Sequence, residues 1–289
     1  MLTNYNKYRT KKNLMKKILT PVLAIFIIAA FSFTIKTANQ NASSGVCDSL
    51  NISAQEHLMM SVLWYQKSAE MKAMYYQSYN MAKMALDNNL KKYPASTKKA
   101  VALDIDETVL DNSPYQAVMI KKGFPFSAKT WKEWTGLAIA KALPGVVDFL
   151  NYAKSKGVEA FFVSNRDLDE RDATIKNMII EKIPFADTMH VLLRVNGKSN
   201  KTERYNKVEK THKIILTIGD NLRDYNEIFG NRNNNFGINM ADSLKNTFGD
   251  NFIILPNPMY GDWEKAIYKG KFPGEVEKNK IRREALIGY

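Results

Sequence analysis

The chain has 289 residues, 45% of them hydrophobic and 25% charged, with a formal net charge of +13. That apolar content supports a packed interior and argues against disorder beyond the ends. The positive excess does not mark a nucleic-acid polymer as partner: Lys7, Arg9, Lys11, Lys12, Lys16, Lys17 and Lys36 all precede residue 47 with no acid among them, and no basic block argues for a duplex-binding stripe.

The basic lead is followed by ILTPVLAIFIIAAFSFTI, residues 18 to 35, an apolar stretch without a charge. Residues 1 to 36 therefore read as an export signal or an uncleaved membrane anchor. Residues 37 to 52 are small and polar and read as a tether. The single cysteine, Cys47, lies in this tether, which excludes an intrachain disulfide and leaves either a lipidation site or a merely retained cysteine.

Residues 53 to 94 read as a helical region packing on the core. From Ser53 to about Lys91 there is no Gly or Pro, and Leu58, Val62 and Tyr65, then Met71, Met74 and Tyr75, recur at helical spacing. One long or two consecutive helices are expected, with the Met and Tyr stripe serving packing.

Residues 95 to 289 form the predicted core. Candidate strands are 100–105, 158–164, 190–195, 213–219, 236–240 and 252–256, with helices near 144–156, 169–181, 200–210 and 222–229. Such alternation predicts an α/β, three-layer Rossmann-like fold with a mainly parallel sheet, whose ligands gather at the carboxyl ends of the strands.

Three of those ends carry polar groups. The first has Asp104 and Asp106, the second Ser164 and Asn165, and the strand ending at Gly219 is followed by Asp220, Asn221 and Asp224. Carboxylates crowded at one rim need a counter-charge, and a hard cation with oxygen ligands, Mg²⁺, suits them. Zinc is poorly supported, since His57, His190 and His212 are scattered and read as surface or satisfied core histidines. Two acids two residues apart also repel, which is expected to raise the proton affinity of Asp106.

In order, the pieces are hhhDxDxT, hhhSN, a lysine ahead of the last catalytic strand, and hhhGDNxxD. This arrangement resembles the haloacid dehalogenase superfamily. More closely, LDIDETVLDNSPYQ (103–116), FFVSNR (161–166), KSNKTER (198–204), IGDNLRDY (218–225) and LPNPMYGDWE (255–264) resemble the class C acid phosphatases, the bacterial outer-membrane lipoprotein acid phosphatase and 5′-nucleotidase family.

The resemblance implies an exported, Mg²⁺-dependent phosphomonoester hydrolase. Asp104 is its implied nucleophile and Asp106 its proton donor and acceptor, with Asp104, the Asp106 carbonyl and Asp220 on the metal and Asp224 in direct or indirect support. Ser164, Asn165 and Lys201 are implied to meet phosphoryl oxygens. Trp131 and Tyr260 match positions whose rings enclose a nucleobase, so nucleoside 5′-monophosphates are the expected substrates. The implied setting is the periplasm or cell envelope, with a membrane contact through the N-terminal segment or a lipid on Cys47; a dimer is compatible. The competing readings are a haem-type surface-binding protein on the same scaffold and a phosphotransferase using the same residues.

Overall fold

The apolar run ahead of Asp104 becomes the central strand of a five-stranded sheet in the computed structural model, which describes residues 55 to 289. The signal or anchor segment, the tether and Cys47 lie outside the described residues. Among the described residues no helix is long and apolar enough to cross a membrane.

The strands are β1 (Lys99–Leu103), β2 (Leu110–Asp111), β3 (Lys141–Ala142), β4 (Glu159–Asp167), β5 (Val191–Arg194), β6 (Lys213–Gly219) and β7 (Phe252–Ile254). The main sheet has the order β5-β4-β1-β6-β7, and every neighbouring pair in it is parallel. β2 and β3 form a separate antiparallel pair. A strand buried on both faces should be apolar, and β1 is so from Ala100 to Leu103, with all five of its residues buried. Lys99 escapes the cost of its charge by donating from Nζ to the carbonyls of Pro94 (2.7 Å) and Thr97 (2.9 Å).

The helices in chain order are α1 (Met59–Lys67), α2 (Ala69–Leu90), α3 (Ser113–Lys122), α4 (Ala128–Gly136), α5 (Val146–Ser155), α6 (Arg171–Ile180), α7 (Thr202–Glu209), α8 (Ile238–Ser243), α9 (Asp262–Ile267) and α10 (Glu275–Glu284). α1 and α2 are separated by Ser68, whose extended backbone ends the first helix and whose hydroxyl caps the second by accepting from the Met71 amide at 3.0 Å. Met71, Tyr75, Tyr79, Ala82 and Leu86 then fall on one face, spaced by three or four residues, and all are buried. They share a hydrophobic cluster with Leu103 of β1 and Phe149 of α5; the Tyr79 and Phe149 rings lie 5.6 Å apart. Each fully buried side chain of this kind contributes about 1.5–3 kcal/mol through apolar burial.

Two sequence expectations are corrected. Residues 236 to 240 are not a strand: a 3-10 turn at Asn235–Gly237 leads into α8. Asn235, Phe236 and Gly237 all take positive φ, which a strand cannot use, and Phe236 and Ile238 are half exposed, so their apolar character does not report burial. Residues 222 to 229 form two 3-10 turns, Leu222–Asp224 and Glu227–Gly230, rather than a helix. Asn221 and Asn226 each accept from a backbone amide two residues on, a side-chain turn that competes with helical bonding. The helices α3 and α4, absent from the sequence expectation, fill the stretch between the acid pair and α5.

Candidate active site

The ladder carries the first acid into place. The Asp104 amide donates to the Ile218 carbonyl at 3.0 Å, extending the β1 to β6 pairing by one residue. The chain then folds tightly: the Ile105 carbonyl accepts from the amides of Val109 (2.8 Å) and Leu110 (2.9 Å), and Glu107 takes φ 55°. Such a loop needs its carbonyls satisfied, and α2 does it. Tyr75 Oη donates to the Glu107 carbonyl at 2.5 Å and Tyr79 Oη to the Thr108 carbonyl at 2.7 Å. Glu107 itself is fully buried; one carboxyl oxygen accepts from the Asn112 amide at 2.9 Å and the other has no hydrogen-bond partner. Burial, and then the acids around it, push its pKa well above the usual carboxylate range.

Asp104 is 9% exposed and meets Lys201 Nζ at 2.6 Å; the same ammonium meets Asp224 at 2.7 Å. Burial pushes the Asp104 carboxyl up to about 7, with Lys201 working against the rise and Asp224 and Asp106 adding to it. Burial opposes the Lys201 charge, but the two carboxylates outweigh it and raise the lysine pKa. The Lys201 amide donates to Glu227 at 2.7 Å, so the residue is held at backbone and side chain alike. Asp220 accepts from Asn257 Nδ2 at 2.7 Å, and burial together with Asp224 and Asp104 raises its pKa well above the usual range.

The simple picture of two mutually repelling acids is corrected by Arg166. It is 2% exposed and donates to Asp106 from Nη2 (2.7 Å) and Nε (3.0 Å), while Asn112 Nδ2 adds a third bond at 2.9 Å. Each of the two acids therefore has its own cation: Lys201 for Asp104 and Arg166 for Asp106. The pairing register of β4 against β5 shifts between Ser164 and Asp167, which lets the chain re-aim these residues at the rim. Ser164 is fully buried and points its hydroxyl at Asp106 from 3.4 Å, whereas Asn165 is exposed and accepts from Arg204 at 2.7 Å.

The acids open into a cavity of about 680 Å³, lined also by Asn165, Trp131 and Tyr260. Trp131 is braced edge-on by Tyr115 at 5.3 Å and packs near Phe126 at 6.2 Å. Of the histidines, His57 also lines this cavity. His190 and His212 flank Glu159 at 3.2 and 3.3 Å, at the opposite end of the strands from the acids.

One carboxylate oxygen each from Asp104, Asp220 and Asp224 lies within 4.8 Å of the others, an all-oxygen set that fits a hard divalent cation. Both Asp224 oxygens are already engaged, one by Lys201 and the other by the Asn221 amide at 3.0 Å. Asp104 and Asp220 each keep one oxygen without a hydrogen-bond partner among the described residues. Gly219 makes this packing possible, because a Cβ there would stand 2.4 Å from Asp224 Oδ2.

Arg166, Asn112, Asn257 and Tyr79 were not singled out from sequence, and Tyr75 reads there only as part of a packing stripe. Arg166 and Asn112 both stand within the quoted motifs, Arg166 in the polar end of β4, but nothing in those motifs separates them from surface polar residues.

A parallel sheet with an acid pair after its central strand and a further acid cluster after the adjacent strand is the arrangement of an α/β phosphotransferase-type fold. The chain belongs to the HAD superfamily, subfamily IIIB (Acid phosphatase), which matches residues 27 to 263. It is a phosphomonoester hydrolase. A class C acid phosphatase from Bacillus anthracis is 44% identical, with a TM-score of 0.77 over 82% of this chain and 99% of that one. The same enzyme with tungstate bound gives 44% and 0.77, over 81% and 98%. A stem 31 kDa glycoprotein of Glycine max is 30% identical over 166 residues, 54% of this chain; the chain spans 57% of the length of that curated relative.

Proposed function

We propose that the protein is an exported, Mg²⁺-dependent acid phosphatase that hydrolyses nucleoside 5′-monophosphates through an aspartyl-phosphate on Asp104. The observation that carries this reading is the state of Asp104: one oxygen pinned by Lys201, the other without a hydrogen-bond partner among the described residues, beside a second acid at the wall of a cavity that also holds two aromatic rings.

In the first step an Asp104 oxygen bonds to phosphorus as the bond from phosphorus to the alcohol oxygen breaks, and Asp106 passes its proton to that oxygen. In the second, water bonds to phosphorus, its proton returns to Asp106, and the Asp104 carboxylate leaves with phosphate released. Lys201 faces the charge carried by the phosphoryl oxygens, with Ser164 and Asn165 at the adjoining strand end. Asp104, the Asp106 carbonyl and Asp220 would hold Mg²⁺, and Asp224 would act by fixing Lys201 and the Asn221 amide. The cation would supply charge neutralisation at the phosphoryl oxygens. Tungstate, bound by the Bacillus anthracis relative, is a tetrahedral oxyanion, which is in keeping with a phosphoryl substrate.

Trp131 and Tyr260 would take the base by stacking, a contact worth about 1–3 kcal/mol per base that tolerates different bases. The basic lead and apolar segment at residues 1 to 36 support export to the cell envelope, where such an enzyme would free nucleosides for uptake.

The test is phosphate release from nucleoside 5′-monophosphates and from glycerol phosphate, with Mg²⁺ and with chelator, for the wild type, Asp104→Asn and Trp131→Ala. Expected are metal-dependent release, its loss in Asp104→Asn, and a rise in KM of about 5- to 100-fold in Trp131→Ala confined to the nucleotides. Activity surviving in Asp104→Asn would overturn the assignment of the nucleophile.

A further inference from the structure

The hydrogen bonds at Asp106 are unevenly divided between its two oxygens. Oδ1 accepts all three strong donors, two from Arg166 and one from Asn112. Among the described residues, Oδ2 has only the Ser164 hydroxyl, at 3.4 Å. An oxygen surrounded by three N–H groups has no lone pair left for a proton, so the proton that Asp106 exchanges belongs on Oδ2.

Arg166 is itself held from behind. Nη1 donates to Thr174 Oγ1 at 3.0 Å, and that hydroxyl donates to the Glu170 carbonyl at 2.8 Å; both residues are buried. Asn112 is oriented in turn by Trp134 Nε1, which donates to its Oδ1 at 2.8 Å. The guanidinium is thus committed to protein acceptors, and its carbon lies 5.7 Å from the centre of the Trp131 ring.

We infer that Arg166 is a positioning residue for this hydrolysis: with Asn112 it fixes the Asp106 carboxyl so that Oδ2 alone faces the departing alcohol oxygen. The inference rests on the reading of Asp106 as proton donor. As the phosphorus–alcohol bond breaks and the phosphorus–Asp104 bond forms, the Oδ2 proton moves to the alcohol, and the charge left on Asp106 is met by a guanidinium already in place. The consequence is selective. A poorly departing alcohol, such as a ribose 5′-hydroxyl, needs the proton, whereas a stable phenolate does not.

The experiment compares kcat/KM for a nucleoside 5′-monophosphate and for 2,4-dinitrophenyl phosphate in the wild type, Asp106→Asn, Arg166→Lys and Thr174→Val. Arg166→Lys is expected to lose about a hundredfold on the nucleotide, the lower end of what general acid catalysis supplies, and less than about threefold on the activated ester. Thr174→Val, which loosens Arg166 without touching Asp106, should show the same selectivity at smaller amplitude, and it decides the matter if Arg166→Lys does not fold. Equal losses on both esters, or none, in the Arg166 and Thr174 variants, while Asp106→Asn remains selective, would overturn the positioning role alone. Equal losses in Asp106→Asn would overturn the proton-donor reading and the inference with it.

Discussion

Tyr79 donates its hydroxyl to the Thr108 carbonyl at 2.7 Å, joining a helix that precedes the sheet to the loop that follows Asp104. The tyrosine is 1% exposed and the carbonyl has no strand partner. Tyr79→Phe keeps the ring and strands that buried acceptor, so a loss of about 1–3 kcal/mol in urea unfolding is expected. An unchanged midpoint would mean that the loop finds another donor.

The crowding of Asp104, Asp220 and Asp224 costs stability when no cation is bound. The folded state holds Asp220 above its ordinary pKa, so this group's contribution to stability is most favourable in acid and declines as pH rises toward the folded value. Asp220→Asn removes that cost. At pH 7 in chelator its melting temperature should exceed that of the wild type by about 2–4 °C, while its activity with Mg²⁺ falls at least about a hundredfold. A variant less stable than the wild type in chelator would count against the repulsion argument.

Asp167 behaves in the opposite sense. Its hydrogen bond to Arg194 at 2.6 Å, together with Lys132 at 3.4 Å, holds its carboxyl below the usual range. A depressed folded pKa adds stability that is present above the unfolded value, about 4, and lost as pH falls through the folded value. Asp167→Asn keeps the side-chain oxygen that caps the following turn. The difference in stability between wild type and variant should therefore be under about 1 kcal/mol at pH 7, because the pair is partly exposed, and should shrink as pH falls below about 4 toward the depressed folded value. Chemical denaturation at pH 7, 5 and 3 measures it, and a difference that is no smaller at pH 3 than at pH 5 would assign it to packing instead.

The strands that end in the acids were legible because each is a short apolar run interrupted abruptly by Asp or Ser–Asn, a pattern that reports burial on both faces of a parallel sheet. The run at 236–240 looked similar and failed, since three consecutive left-handed residues turn it and its apolar side chains remain half exposed. Phe236 illustrates why a five-residue window cannot separate a buried strand from a surface turn: both contain the same residue types, and only long-range neighbours distinguish them.

Within the site, Asp104, Asp106 and Asp220 could be named because a carboxylate at a strand end is uncommon without a use. Arg166 could not be distinguished from a surface arginine, and Tyr75 and Tyr79 read as one apolar stripe on α2. Their hydroxyls matter only because the loop after Asp104 lies against that stripe.

By itself, then, the sequence determined the strands of the parallel sheet that lead to the acids and the place of those acids at the carboxyl ends, since local periodicity and strand polarity suffice for these, but not the turns at 222–229 and 236–240 or the helices α3 and α4. The tertiary structure alone decided which cation neutralises which acid. Lys201 reaches Asp104 across 97 residues of chain and Arg166 reaches Asp106 across 60, separations that no local pattern encodes, and the low dielectric of a buried rim makes those pairings the controlling electrostatic fact of the site.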